Sequence, residues 1–237
     1  MGLLDYLVRV KSEPGFDRPI TIVPVAINYD RVLEDRSLLR EIQDEGQRLR
    51  RRDQIVEVAS YALKVSARFL LRRAKRYGRA CVNFGAPMSV DDWLAAHPGV
   101  LELPREERLP RMKELADEVM ARIAAIMPVT AVSLASAALL GHPGDRIDRS
   151  RWEALMDERL ATLRGRGAHV IGEDRTSAEI LDRALVMLTL RHVVEPAGDG
   201  FRIDHGQDLL LRYYANSIEH FETERRATPG AGAILGP

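Results

Sequence analysis

The chain has 237 residues, enough to bury a substantial core in one large domain or two small ones. Lys plus Arg and Asp plus Glu number 35 each, so total charge points to neither an acidic nor a basic partner. The lone Cys81 excludes an internal disulfide framework and fits a reducing compartment, and residues 2–10, which carry Asp5 and no cleavage pattern, do not read as a signal peptide.

Leu3, Leu4, Tyr6, Leu7 and Val10 predict a short helix with one apolar face, ended by Pro14 and Gly15. Ile20, Ile22, Val23, Val25 and Ile27 then form a β-branched run about one buried strand long. Pro24 cannot donate to a sheet ladder, so the run is an edge strand or one that bends where something else needs access. Asn28 and Asp30 follow and a helix pattern opens, which predicts an α/β unit; ligands gather at the carboxyl ends of such strands.

A charged helix is predicted over 32–43 and a basic turn over 48–52. Residues 53–77 then carry an apolar stripe of Ile55, Val58, Ala62, Val65 and Phe69. Its other face holds Lys64, Arg68, Arg72 and Lys75, and residues 47–79 set eleven Lys or Arg against Asp53 and Glu57, a local charge of +9. Such a face is either simply solvated or meets anionic lipid headgroups or phosphorylated ligands. Those four residues are the membrane-surface candidates.

Residues 80–85 predict a second strand, Ala86 and Pro87 a turn, and Ser89 the cap of a helix carrying Asp91, Asp92 and Trp93. The proline-punctuated, acidic stretch 98–110 places a boundary between an α/β part, 1–103, and a mostly helical part, 104–222. Met112, Leu115, Ala116, Val119, Ile123 and Ile126 give the latter a core stripe. Residues 123–140 carry no charge, long enough to raise a membrane span. Pro128, Thr130, Ser133 and Ser136 favour instead two buried helices meeting at Pro128. Helices follow over 149–164 and 177–190, then a hairpin about Gly198, Asp199 and Gly200. A last helix carries Leu210, Tyr214, Ile218 and Phe221, and the tail 223–237 lacks a core pattern and is expected to be disordered.

No phosphate-cradling glycine loop, Gly-x-Ser-x-Gly elbow or Cys/His metal spacing is present, so no metal or cofactor is predicted. His169 and Asp174 have the spacing of a His-x-x-x-x-Asp acyltransfer dyad, in which the His acts as base and the Asp orients it. With six histidines such a spacing arises readily by chance, and it lies in the wrong half of the chain. No catalytic residue is assigned.

Three segments together resemble the bacterial membrane-bound glycerol-3-phosphate acyltransferases. The run I-V-P-V-A-I-N-Y-D-R-V-L-E at 22–34 is similar to that family's fourth block, and V-N-F-G-A-P-M at 82–88 to its V-N-F-G-E-P-I strand and turn. Y-Y-A-N-S-I-E-H at 213–220 is similar to its Y-x-N-S-I-x-H signature, and residues 128–140 to a P-V-T-x-V-S-L stretch. The resemblance implies transfer of a fatty acyl group from acyl-CoA or acyl carrier protein to glycerol 3-phosphate, at the cytoplasmic face of the membrane as a peripheral or embedded enzyme. It implies that Val23, Pro24 and Val25 lie beside the substrate, and it gives the basic helix a place on anionic lipid. The fold implied is the C-terminal part of an acyltransferase α/β domain followed by a mostly helical domain.

The pattern departs from the family at one decisive point. The His-x-x-x-x-Asp block and the E-G-x-R-S-R block that grips substrate phosphate lie upstream of the V-P-V strand, yet neither occurs in the roughly twenty residues before it here. Ala86 also replaces the usual acidic residue of the turn. The chain alone is therefore expected to be inactive. Either Met1 is an internal methionine, the preferred reading because the similarity starts at the first residues, or this is a fragment or non-catalytic relative. A non-catalytic scaffold binding lipid or a partner through the basic helix is one rival. A winged-helix nucleic-acid module built on 149–164, 177–190 and the hairpin is another, but its would-be reading helix is electrically neutral, so no nucleic-acid partner is expected.

Overall fold

The computed structural model describes residues 2–32, 79–172 and 174–222. The basic helix predicted over 53–77, with Lys64, Arg68, Arg72 and Lys75, lies outside the described residues, as do the tail 223–237 and all but Val32 of the charged helix.

Helix α1, Gly2–Arg9, forms where predicted, and Leu4 and Leu7 of its predicted face pack on the first core, but the inward face is shifted toward Asp5 and Val8. It buries Asp5 and Val8, while Leu3 and Tyr6 are 83% and 68% exposed. The cause is electrostatic. Arg108 Nε donates to Asp5 Oδ1 at 2.7 Å and Arg108 Nη1 to the Leu103 carbonyl at 2.7 Å, so two buried charges satisfy each other. That hydrogen bond holds the Asp5 carboxyl below its ordinary pKa, against the opposing effect of burial.

Strands β1 (Thr21–Ile22) and β2 (Val25–Tyr29) pair antiparallel with β4 (Met88–Ser89) and β3 (Ala80–Phe84), giving an interrupted two-stranded ribbon. Helix α2, Val90–Ala96, starts on Ser89, whose Oγ accepts from Asp92 N at 3.1 Å. Helix α3, Arg105–Ala125, follows the link. Its Met112 and Leu115 pack with Val8, Met88, Val90, Trp93 and Val100 in a first core. The boundary expected before residue 104 thus falls just ahead of a helix whose first half packs backward.

Pro128 separates α3 from α4, Ala131–Leu139, every residue of which is buried. Thr130 and Ser133 close a capping box at its start. No helix among the described residues is long and apolar enough to cross a membrane. The charge-free stretch is instead the centre of the second core, where Leu134 and Leu139 meet Trp152, Leu163, Leu181 and Ile218.

Around α4 the chain continues as β5 (Arg146–Asp148), α5 (Arg149–Gly165), α6 (Ser177–Leu190), β6 (Val194–Ala197), β7 (Gly200–Ile203) and α7 (Asp208–Glu219). The three strands form an antiparallel sheet in the order β5-β7-β6, and α4, α5 and α6 pack on one another. Helix, strand, two helices and a hairpin whose second strand lies between the other two is the topology of a winged helix, with α7 packed across α4. The helix in the reading position, α6, shows no basic stripe: its Asp182 is tied to Arg149 at 2.8 Å and Val186 is 53% exposed. Across the described residues, helices mix with small antiparallel sheets, compatible with the α/β class.

Candidate functional site: a bulged ribbon held by backbone carbonyls

Pro24 sets the local geometry of the ribbon. Ile22 pairs with Met88 and Val25 with Phe84, so two residues on one strand face three on the other, a bulge at Gly85, Ala86 and Pro87. The Pro24 carbonyl accepts from Gly85 N at 2.8 Å, and the proline's missing N–H falls at the break in the ladder. A Cβ on Gly85 would stand 3.2 Å from Ile126 Cδ1 and 3.3 Å from Pro24 Cβ, so the ribbon touches the end of α3 here. Among the described residues each strand of the ribbon is an edge strand, one of the two places expected for Pro24.

The faces of β2 are the reverse of a buried apolar strand. Ala26 and Asn28 point inward, while Val25, Ile27 and Tyr29 point out, 37%, 48% and 43% exposed. Directly across from them stand Phe84, Val82 and Ala80. The first two are also exposed, so the outer face is a continuous apolar surface. Of the three predicted substrate residues, Val23 and Val25 lie on or beside this open face and Pro24 is buried beneath Gly85.

Side chains hold the inner face against the α3–α4 connection by gripping its main chain. Asn28 Nδ2 donates to the Pro128 carbonyl at 2.8 Å and reaches Ser217 Oγ at 3.2 Å, and Asn28 Oδ1 accepts from Tyr29 N at 2.8 Å. Asn83 Nδ2 donates to the Ile126 carbonyl at 2.8 Å and stands 3.0 Å from His169 Nδ1. His220 Nε2 meets the Ala124 carbonyl at 2.8 Å. Val32 N approaches Tyr214 Oη at 3.4 Å, and Arg191 donates to the Val32 carbonyl at 3.0 Å. Burial pushes the His220 imidazole below its ordinary pKa, the hydrogen bond to Ala124 only partly opposing it. Neutral, the ring donates through Nε2.

The His169 ring is therefore turned toward Asn83, as one clamp among several. Among the described residues no group of three His, Cys, Asp or Glu could hold a metal ion. A cavity of about 470 Å³ lies elsewhere, between α5 and the turn after α4, with Leu155, Arg151 and Glu158 in its wall. It includes none of the residues assigned to substrate.

The clamp residues coincide with the motifs. Asn28 ends the V-P-V strand, Asn83 sits in V-N-F-G, and Ser217 and His220 belong to the C-terminal signature. A family model, the glycerol-3-phosphate acyltransferase C-terminal region, matches residues 63–225. The chain belongs to that family. Among similar proteins, the glycerol-3-phosphate acyltransferase of Aeromonas hydrophila is 29% identical over 214 residues, which is 87% of this chain and 25% of that protein. Those of Pseudoalteromonas translucida and Shewanella halifaxensis are 28% and 25% identical, again over 87% of this chain and 25% of theirs. The chain thus spans about a quarter of the length of the curated relatives it matches. For this acyltransferase C-terminal region the clamp gives the signature residues a mechanical role that motif reading did not foresee, since their partners are main-chain carbonyls, which no side-chain pattern marks.

Proposed function

We propose that this chain is the C-terminal portion of a glycerol-3-phosphate 1-O-acyltransferase, which moves a fatty acyl group from acyl-CoA or acyl carrier protein to glycerol 3-phosphate in phospholipid synthesis. The observation that carries the reading is the outer face of the ribbon, apolar and uncovered, on a strand with the family's fourth block. In this reading residues 1–103 complete an α/β acyltransferase domain whose remaining part packs on that face. Val23 and Val25 then border the substrate cleft, with Pro24 between them at the break in the ladder. Residues 104–222 brace the ribbon from behind through the Pro128 and Ile126 carbonyls that Asn28 and Asn83 grip, while His220 ties α7 to the end of α3. The whole enzyme works as a peripheral protein at the cytoplasmic face of the membrane, where Lys64, Arg68, Arg72 and Lys75 meet anionic lipid.

The one His-x-x-x-x-Asp spacing in the sequence, His169 to Asp174, has its ring turned to Asn83 rather than to the open face, so the 237-residue chain alone should form no lysophosphatidate from glycerol 3-phosphate and palmitoyl-CoA. Replacing the matching segment of the Aeromonas hydrophila relative by this chain should retain acyl transfer, and Val25→Lys in that chimera should raise KM or abolish turnover. Acyl transfer by the 237 residues alone, or a chimera indifferent to Val23 and Val25, would contradict the reading.

A further inference from the structure

The hydrogen bonds along the ribbon fix which backbone groups face its seam and which face outward. In an antiparallel pair, facing residues alternate between those that exchange N–H···O bonds and those whose N–H and C=O turn away from the partner strand. The Pro24 carbonyl accepts from Gly85 N at 2.8 Å, and at the other end Asp30 N donates to the Arg79 carbonyl at 3.0 Å. Alternation between these two bonded pairs makes Ala26 with Asn83 and Asn28 with Cys81 bonded as well. Val25 with Phe84, Ile27 with Val82 and Tyr29 with Ala80 are then the outward-turned pairs.

The two outer edges differ. On β2 the Tyr29 N–H is already taken by Asn28 Oδ1 at 2.8 Å. On β3 the N–H and C=O groups of Ala80, Val82 and Phe84 make no hydrogen bond among the described residues. Residues 80–84, A-C-V-N-F, carry neither charge nor proline, the usual devices that blunt a strand edge. Beside the open edge, Val82 and Phe84 are 46% and 73% exposed. Bare amides next to apolar side chains form a template for a further strand rather than for a small ligand.

We propose that β3 is an inner strand of the complete enzyme's sheet, paired along Ala80, Val82 and Phe84 with a strand from the part of the acyltransferase outside these 237 residues. This joint rests on the acyltransferase reading and specifies how the remaining part attaches: through a backbone ladder, with the apolar face covered as a result. The chain spans about a quarter of the length of the relatives it matches, so the occupant has ample chain to come from. The β2 edge is the wrong place for it, because Val23 and Val25 border the substrate cleft in that reading and a strand laid there would fill it. Main-chain bonds give the joint its strength, and the side chains of the incoming strand that flank Val82 and Phe84 are apolar or aromatic.

The test is residue-resolved amide hydrogen exchange on the 237-residue chain and on the Aeromonas hydrophila relative whose matching segment this chain replaces. In the dilute chain alone the Val82 and Phe84 amides should exchange freely, while those of Cys81 and Asn83 stay protected. In the chimera Val82 and Phe84 should slow by about a hundredfold or more, with Ile27 much less affected. Val82→Pro removes an N–H that nothing accepts in the isolated chain, so that chain should melt within about 3 °C of the unmodified one, whereas in the chimera the protection at Phe84 should vanish. Val82→Ala keeps the N–H and should keep the protection. Free Val82 and Phe84 amides in the chimera overturn the proposal, as does equal loss of protection in the two Val82 variants, which marks side-chain packing without a ladder. Slow exchange in the dilute chain overturns it without recourse to the chimera. Protection in a dimer of the 237-residue chain but not in the chimera gives the edge to a second copy and overturns it too. Acyl transfer by the chimera is scored separately: transfer with free amides removes the strand joint alone, and protected amides without transfer remove the acyltransferase reading alone.

Discussion

At the scale of single residues, two ionisable groups, buried Asp5 and half-buried His220, govern how this protein responds to acid. Asp5 is held ionised by Arg108, so its folded pKa lies below the ordinary value of 3.8. Its contribution is fully present above that pH and is lost as pH falls through the folded pKa. His220 is also depressed, from 6.5, but it is the neutral ring that the fold keeps. The unfolded chain then binds the proton more readily, so stability is intact above about pH 6.5 and declines as the solution is acidified below it. His220→Gln, which can still donate to the Ala124 carbonyl, should flatten the melting temperature between about pH 5 and 6.5 relative to the unmodified chain. Asp5→Ala leaves Arg108 buried without its carboxylate and should cost about 3 kcal/mol in urea unfolding. The double change Asp5→Leu with Arg108→Met should recover most of that loss, because it leaves no charge stranded.

At the scale of elements, close approach of backbones marks where substitution hurts. Gly200 faces Asp148 across β5 and β7, and a Cβ there would lie 2.4 Å from the Ile147 carbonyl oxygen. Gly200→Ala should therefore separate the two strands and destabilise the chain by about 3 kcal/mol in denaturant unfolding. Ser136 gives the opposite sign. Its hydroxyl is fully buried on α4 without a hydrogen-bond partner among the described residues, so Ser136→Ala should be neutral or stabilising by up to about 1 kcal/mol. The helices were the legible elements, since their apolar periodicity is long and some carry their own punctuation: Thr176 and Glu179 cap α6, and Thr130 and Ser133 cap α4. Strand β5 was missed because three residues leave no alternation to read. The inward face of α1 was read only in part, with Leu4 and Leu7 packed but Asp5 unforeseen, because the stripe of leucines says nothing of Arg108, more than a hundred positions away. The faces of β2 were misread for a related reason. Its inner positions, Ala26 and Asn28, are small or polar because they meet a main-chain surface, and sequence period alone shows only which residues alternate.

At the scale of the whole molecule, the uneven distribution of apolar surface dominates. The second core is closed around α4, whereas the ribbon leaves Val25, Ile27, Tyr29, Val82 and Phe84 open. The isolated chain should therefore associate with itself as concentration rises, and Ile27→Lys with Phe84→Lys should lower its mass in light scattering without changing its melting temperature by more than about 2 °C. The motifs made the family readable from sequence, but the way they are used was not, because a carbonyl acceptor leaves no mark on the residue that owns it. That asymmetry has a consequence for how the protein can drift. The hinge segment from Ala124 to Pro128 offers only oxygens common to all amino acids. Apart from Ile126, which packs at Gly85, and Pro128, which ends the helix, its side chains can change without loosening the grip, whereas any change at the two asparagines removes a donor of that reach.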